Sequence, residues 1–227
     1  RATRGGARVE KDPTVVTCEV FDEAERRDPE HRRTWVVVVD GDKNQIARVR
    51  REARRRGVTI VLVLDFIHAL GYLWKAAWSF FEHGDQEAGE WVRERARRLL
   101  EGRASDLAGG IRRSATRRGL SHAQRKGADE CADYLVAKRK LLHYENYLPA
   151  GLPIASGVIE GACRHLVEDR LGITGARWTV PGAEAVLQLR ALRSSGDFDE
   201  YWCFHLAQER RRNHESRYAA GFAAAAA

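Results

Sequence analysis

Two short apolar runs constrain this chain more than anything else in it. Trp35-Val36-Val37-Val38-Val39 stands between polar borders and ends in Asp40-Gly41-Asp42. A second run, VTIVLVL, covers Val58 to Leu64. Consecutive apolar residues without alternation predict strands buried on both faces. Between the runs, residues 43–56 set Ile46, Val49 and Ala53 at helical spacing among six arginines, and Gly57 follows as a stop signal. Buried strand, helix, buried strand predicts a parallel β-α-β unit with a right-handed crossover.

The rest of the chain reads as helices. Asp12-Pro13 looks like an N-cap with proline at the first helical position, and Asp28-Pro29 ends a helix that runs to about Arg27. Residues 1–11 are polar and read as loose. Beyond Phe66 an aromatic stripe of Leu70, Leu73, Trp74, Ala77, Trp78 and Phe81 lies at helical spacing. Segments 86–101, 104–118 and 121–142 follow it, and Leu148 to Pro153 forms a linker. Helices are predicted again at 157–171, 182–193 and 197–214, before an Ala-rich tail that reads as disordered. Five segments result: an N-terminal helical segment (1–30), a β-α-β core (31–66), an all-helical insertion (67–150), C-terminal helices (151–215) and the tail (216–227). The class is α/β but mostly helical.

Composition narrows the function classes. Charged residues make up 31% of the chain, and no apolar stretch approaches the roughly 20 residues of a spanning helix. The residues Arg1 to Arg8 are basic with no apolar run behind them, so no signal peptide is read. A cytoplasmic protein is expected. Arginine supplies 33 of the 39 basic side chains, and the net charge is +7. The guanidinium fork suits phosphate, which points to nucleic acid. A genome that writes Arg for Lys throughout explains the same bias. Cys18, Cys131, Cys163 and Cys203 are too far apart for a zinc knuckle or a redox pair, and buried free thiols are expected.

Three acids stand out. Asp40 and Asp65 each follow a predicted buried strand, at the edge where parallel sheets gather ligands. Clustered carboxylates repel unless a proton or cation lies between them, and hard oxygen donors favour Mg²⁺ or Mn²⁺. Equally, Asp40 or Asp42 can simply cap the helix that begins at Lys43. His68, one turn beyond Asp65, reads as a supporting residue or as a structural histidine paired with Asp65. Glu160 lies in SGVIEGACRHLV, where Gly157 and Gly161 weaken a helix by about 1 kcal/mol each relative to Ala. A plain ion pair with Arg164 is the other reading of Glu160.

The stretches VVVVDGDKNQ, VLDFIHALGYLWKAAW, ASGVIEGACRHLVEDRLGITGARW and LRSSGDFDEYWCFHLAQERRRNH resemble the ISKra-type DDE transposases of bacterial insertion sequences. The likeness runs from about Pro13 to Arg217. It implies a catalytic domain similar to ribonuclease H, in which three acids hold two Mg²⁺ or Mn²⁺ ions. Asp40 matches the second acid and Glu160 the third, both as metal ligands. Asp65 and His68 resemble a supporting D-x-x-H motif. Arg164 and Trp178 are candidate DNA contacts by residue type.

The resemblance also implies strand cleavage and transfer at insertion-sequence ends. Its partners would be double-stranded DNA (terminal repeats and target), with a nucleoid-associated location and a possible homo-oligomer. The arginine face of the insertion could hold transposon DNA, while its aromatic stripe reads as core. A helix and a parallel strand after Asp40 are the surroundings of the fold's fourth strand. The earlier strands and the first catalytic Asp are therefore expected to be missing. The absence of any Met, position 1 included, predicts part of a longer protein. Under the other assignment Asp40, Asp65 and Glu160 form the whole triad. Two rivals remain: a non-catalytic DNA-binding remnant, and a phosphohydrolase with Asp40 as nucleophile, which needs a downstream Lys and an acidic metal loop, where Lys75 and the SGDFDE run are present but in helical contexts.

Overall fold

The computed structural model describes residues 12–157, 161 and 163–215, with the side chain of residue 214 left out. Residues 1–11, 158–160, 162 and the tail 216–227 lie outside the described residues. The chain divides into two compact units, Pro13–Gly161 and a second that contains 163–215.

In the first unit α1 (Pro13–Arg27) leads to β1 (Trp35–Val39), α2 (Lys43–Arg56) and β2 (Ile60–Leu64). The two strands pair in parallel, with Trp35 opposite Ile60 and Val39 opposite Leu64. The β-α-β unit is as predicted, and its helix is built from local signals. Asp42 caps α2 by accepting from the Gln45 N–H, and Gly57 closes it in the left-handed region at φ 68°. The second strand starts at Ile60 rather than at Val58. The Val58 N–H is spent on the Ala53 carbonyl, sealing the end of α2.

Four longer helices follow: α3 (Phe66–Ala77), α4 (Gln86–Leu100), α5 (Ala104–Arg117) and α6 (Lys126–Lys138). The predicted helix 121–142 is shorter at both ends. Ser121 and Gln124 bond each other in a turn ahead of α6, and a 3-10 turn, Arg139–Leu141, follows it. A single turn at Tyr144–Tyr147 leads into the predicted linker.

Both strand faces are covered. Trp35, Val37, Ile60 and Leu62 pack with Phe21, Val49 and Ala53 of α1 and α2. On the other side Val36, Val38, Val61 and Val63 join one continuous core with Leu73, Leu99, Ile111 and Leu135, and Val39 and Leu64 at the strand ends belong to the same core. The all-helical stretch is therefore not a body of its own: it forms one core with the strands. Aromatic residues of the stripe, Trp78 and Phe81, pack against that core as expected, while Trp74 stays exposed. Cys131 is a buried free thiol, pushed up to about 12 by that burial, whereas Cys163 and Cys203 are exposed.

The second unit has a π-helical turn, Arg164–Glu168, that runs into Asp169–Leu171. It continues with α7 (Val180–Ser195), α8 (Phe198–Arg210) and a π-helical turn, Arg211–Glu215. Thr179 caps α7, and Gly196 ends it in the left-handed region. No described helix is long and apolar enough to cross a membrane.

Candidate functional site

The carboxyl edge of the two strands carries two of the sequence-predicted acids, Asp40 and Asp65. Since Val39 stands opposite Leu64, the next residues, Asp40 and Asp65, leave the sheet side by side. The Asp65 N–H donates to the Val39 carbonyl at 2.8 Å, which extends the ladder by one bond.

The two carboxylates then differ. Asp65 is buried, and both its oxygens are engaged. Oδ1 accepts from the Ile67 N–H at 2.9 Å, capping α3, and Oδ2 accepts from the Ser156 hydroxyl. Asp40 is exposed. Its Oδ1 accepts from the Asp42 N–H at 2.8 Å, and its Oδ2 has no partner among the described residues. Asp42, not Asp40, caps α2, which separates the two readings of this loop. Asp40 and Asp42 are thus the exposed carboxylates that each keep one oxygen available, and Asp65 is a clasp.

Two residues of α6 support the loop that carries Asp40. The Tyr134 hydroxyl donates to the Asp40 carbonyl at 2.8 Å, and Lys138 Nζ donates to the Gly41 carbonyl. Gly41 has φ 95°, and a Cβ there would stand 3.0 Å from the Tyr134 hydroxyl and 3.1 Å from Leu64. Only glycine fits both the backbone and the space. Burial pushes the Tyr134 phenol up, and the nearby Tyr72, Asp40 and Asp65 add to this, so the hydroxyl remains a donor. Tyr144 is fully buried and donates to the Leu64 carbonyl at 2.8 Å, bracing the end of β2.

His68 is exposed on the same side. Its ring meets Tyr72 at 5.6 Å and Tyr134 at 5.9 Å, and Tyr72 and Tyr134 stack at 3.8 Å. It is not the partner of Asp65, because Ser156 takes that place. Lys75 lies 4.8 Å above the Tyr72 ring. In the second unit Arg164 is exposed, and Trp178 is half-buried with Arg170 5.3 Å over its ring. Glu160 lies outside the described residues.

No family model, no curated protein and no solved structure matches this chain. What can be said of the site rests on its own residues. The linker reaches the strand edge at two points: the Phe66 N–H donates to the Ile154 carbonyl at 2.9 Å, and Ser156 holds Asp65.

As a metal site the arrangement is incomplete. The free oxygen of Asp40 is a hard donor suited to Mg²⁺ or Mn²⁺. Both oxygens of Asp65 are hydrogen-bonded, and Asp42 spends one of its two on the cap. Among the described residues no three His, Cys, Asp or Glu side chains stand together as a metal-holding group.

Tyr134, Lys138 and Ser156 were not singled out in the sequence. Tyr134 and Lys138 are four apart and share a helix face, a spacing too common to draw notice. Ser156 is the small polar residue just ahead of the glycine-flanked acid, the nearest thing to a signal among the three.

Proposed function

We propose that this chain is a DNA strand-transfer protein of the DDE transposase kind, built on a partial ribonuclease H-like domain. The reading extends the resemblance to the ISKra-type enzymes. One observation supports it most: Asp40 and Asp65 leave the sheet together, and the linker to Glu160 is clasped to Asp65 at that edge. Glu160 is four positions beyond Ser156 in the sequence, a contour of about 14 Å at most.

Asp40 and Glu160 are the residues proposed to hold Mg²⁺ or Mn²⁺. When bound, the metal would neutralise charge on the scissile phosphate. Asp65 and Ser156 act by positioning: their bond ties the start of the Glu160 segment to β2. Tyr134 and Lys138 hold the Asp40 loop, and His68 lines its flank. Arg164 and Trp178 are proposed DNA contacts in the second unit. The partners are the DNA duplexes of an insertion sequence and its target.

This chain alone is expected to be inactive for want of the first acid, so the test is nicking of a supercoiled plasmid bearing the terminal repeats, in Mg²⁺ or Mn²⁺, by a protein that also carries the strand with that acid. Asp40→Asn and Glu160→Gln should each abolish it, while Ser156→Ala should slow it without abolishing it. Unchanged nicking by Asp40→Asn overturns the assignment. Duplex binding without nicking by that protein, with no residue replaced, supports a second reading, a DNA-binding protein without catalysis.

A further inference from the structure

The arginines are not spread evenly. Residues 93–118 hold nine arginines against three acids, and residues 43–56 hold seven basic residues against one. Elsewhere acids outnumber basic residues, 28 to 23. A uniform preference for Arg over Lys does not produce that clustering of charge.

The two basic segments differ in structure. In α2 two of the seven basic residues are tied up internally: Arg55 and Arg56 both bond Glu52, and Arg56 also reaches Asp22 and Glu25. Along α4 and α5 the guanidiniums instead line a groove of about 360 Å³, whose walls include Arg95, Arg98, Arg103, Arg113 and Arg117. One acid, Asp106, shares the lining. Arg98 pairs with Glu94 at 2.7 Å, and Arg95 lies 3.6 Å from the same carboxylate. Arg103, Arg113 and Arg117 are exposed and have no acidic partner among the described residues.

Arg95 is held in place, 3.8 Å over the Trp91 ring and bonded to the Trp91 carbonyl. Its guanidinium is pushed down by burial and by the cations of Arg98 and Arg118. The groove lies open at Gly110, where a Cβ would meet nothing within 4 Å. Five guanidiniums around an open trough with one acid repel each other unless an anion lies between them. The repeated forks suit a repeated phosphate.

We propose that the groove between α4 and α5 binds the phosphodiester backbone of DNA, with Arg103, Arg113 and Arg117 as the direct contacts. This deepens the DNA reading above and rests on it for the identity of the anion. It does not depend on Asp40, Glu160 or a metal.

The experiment measures binding of the full chain to a labelled mixed-sequence duplex in EDTA, across a salt series. Nicking is thereby excluded from the readout, so its failure would leave this inference standing. Replacing Arg103, Arg113 and Arg117 together by Ala should weaken binding on the order of 10- to 100-fold. It should lower the slope of log affinity against log salt by about 2.7, near 0.9 per lost phosphate contact. The matched control replaces exposed Arg50, Arg51 and Arg54 of α2 by Ala, with a smaller expected loss.

Gly110→Gln fills the trough with no change of charge, and should weaken binding several-fold at unchanged helix content. Equal losses from the two triple variants would overturn the proposal in favour of diffuse attraction. So would full binding by Gly110→Gln, or capture of inorganic tripolyphosphate by a chain that ignores the duplex.

Discussion

The two units of this protein make their helices by the same local rules but bury them differently. In the first, Leu73, Leu99, Leu135 and Tyr144 have no exposed surface at all. In the second, Ala183 and Leu187 are the only described residues that count as buried, and α8 has none. Trp202 is 45% exposed and Phe204 59%. Caps and helix formers are sufficient to write a helix, but a core needs apolar side chains on faces that meet. Trp202 and Leu206, four apart, share one face of α8, while Phe204 between them points to the other side, so the three do not gather into one apolar stripe. A segment of this size has little interior to offer in any case.

The sharpest way to break the comparison is a core truncation. Leu135→Ala in α6 should cost roughly 2–5 kcal/mol in urea unfolding, from lost burial plus a cavity. A cost below about 1 kcal/mol would mean that this core relaxes freely, and the contrast between the units would be lost.

Acid tests the same unit by another route. Glu52 is buried, and bonds from Arg55, with help from Arg56, lower its carboxyl from 4.5 to about 2. Its folded value is below its unfolded one, so the stabilisation is full above pH 4.5 and fades as pH falls towards 2. Asp28 is lowered as well, chiefly by the Trp35 indole N–H, with the Arg33 and Arg32 N–H groups contributing. In the second unit His165 and Asp169 form an exposed pair. The loss of stability between pH 4.5 and 2 should therefore belong to the first unit, and Glu52→Gln should flatten it. An unchanged acid limb in that variant would assign it elsewhere.

The smallest effect is expected in α8. Phe204→Ala should change stability by no more than about 0.5 kcal/mol, the range of an exposed site. A loss of about 3 kcal/mol would show that Phe204 is buried in solution.

Much of the first unit was legible in the sequence because its signals are local. The valine run, the arginine-flanked helix and Gly57 predict the β-α-β unit almost residue by residue. The errors lie where one hydrogen bond decides, as at Val58, whose N–H closes α2 instead of joining the strand. Asp40 and Asp65 were legible as strand-end acids, but their different standing was not. That depends on Ser156, 91 residues from Asp65, and on the N–H groups that each carboxylate accepts. Glu160 is legible only as sequence.

Which segments form helices and which form strands, the parallel pairing and the edge at which Asp40 and Asp65 stand were legible in the sequence by itself, whereas the π-helical turns at Arg164–Glu168 and Arg211–Glu215 were not. Periodicity, caps and turn residues act over a few positions, so they can be read along the chain. Only the tertiary structure decided that the helical stretch shares the core of the strands. It also brought Tyr134 to the Asp40 carbonyl across 94 positions and Lys138 to Gly41 across 97. It left one carboxylate clasped and the other open. Those outcomes come from bringing α6 and the linker at Ser156 to the carboxyl edge of the strands, and no spacing within a helix encodes what its face will meet.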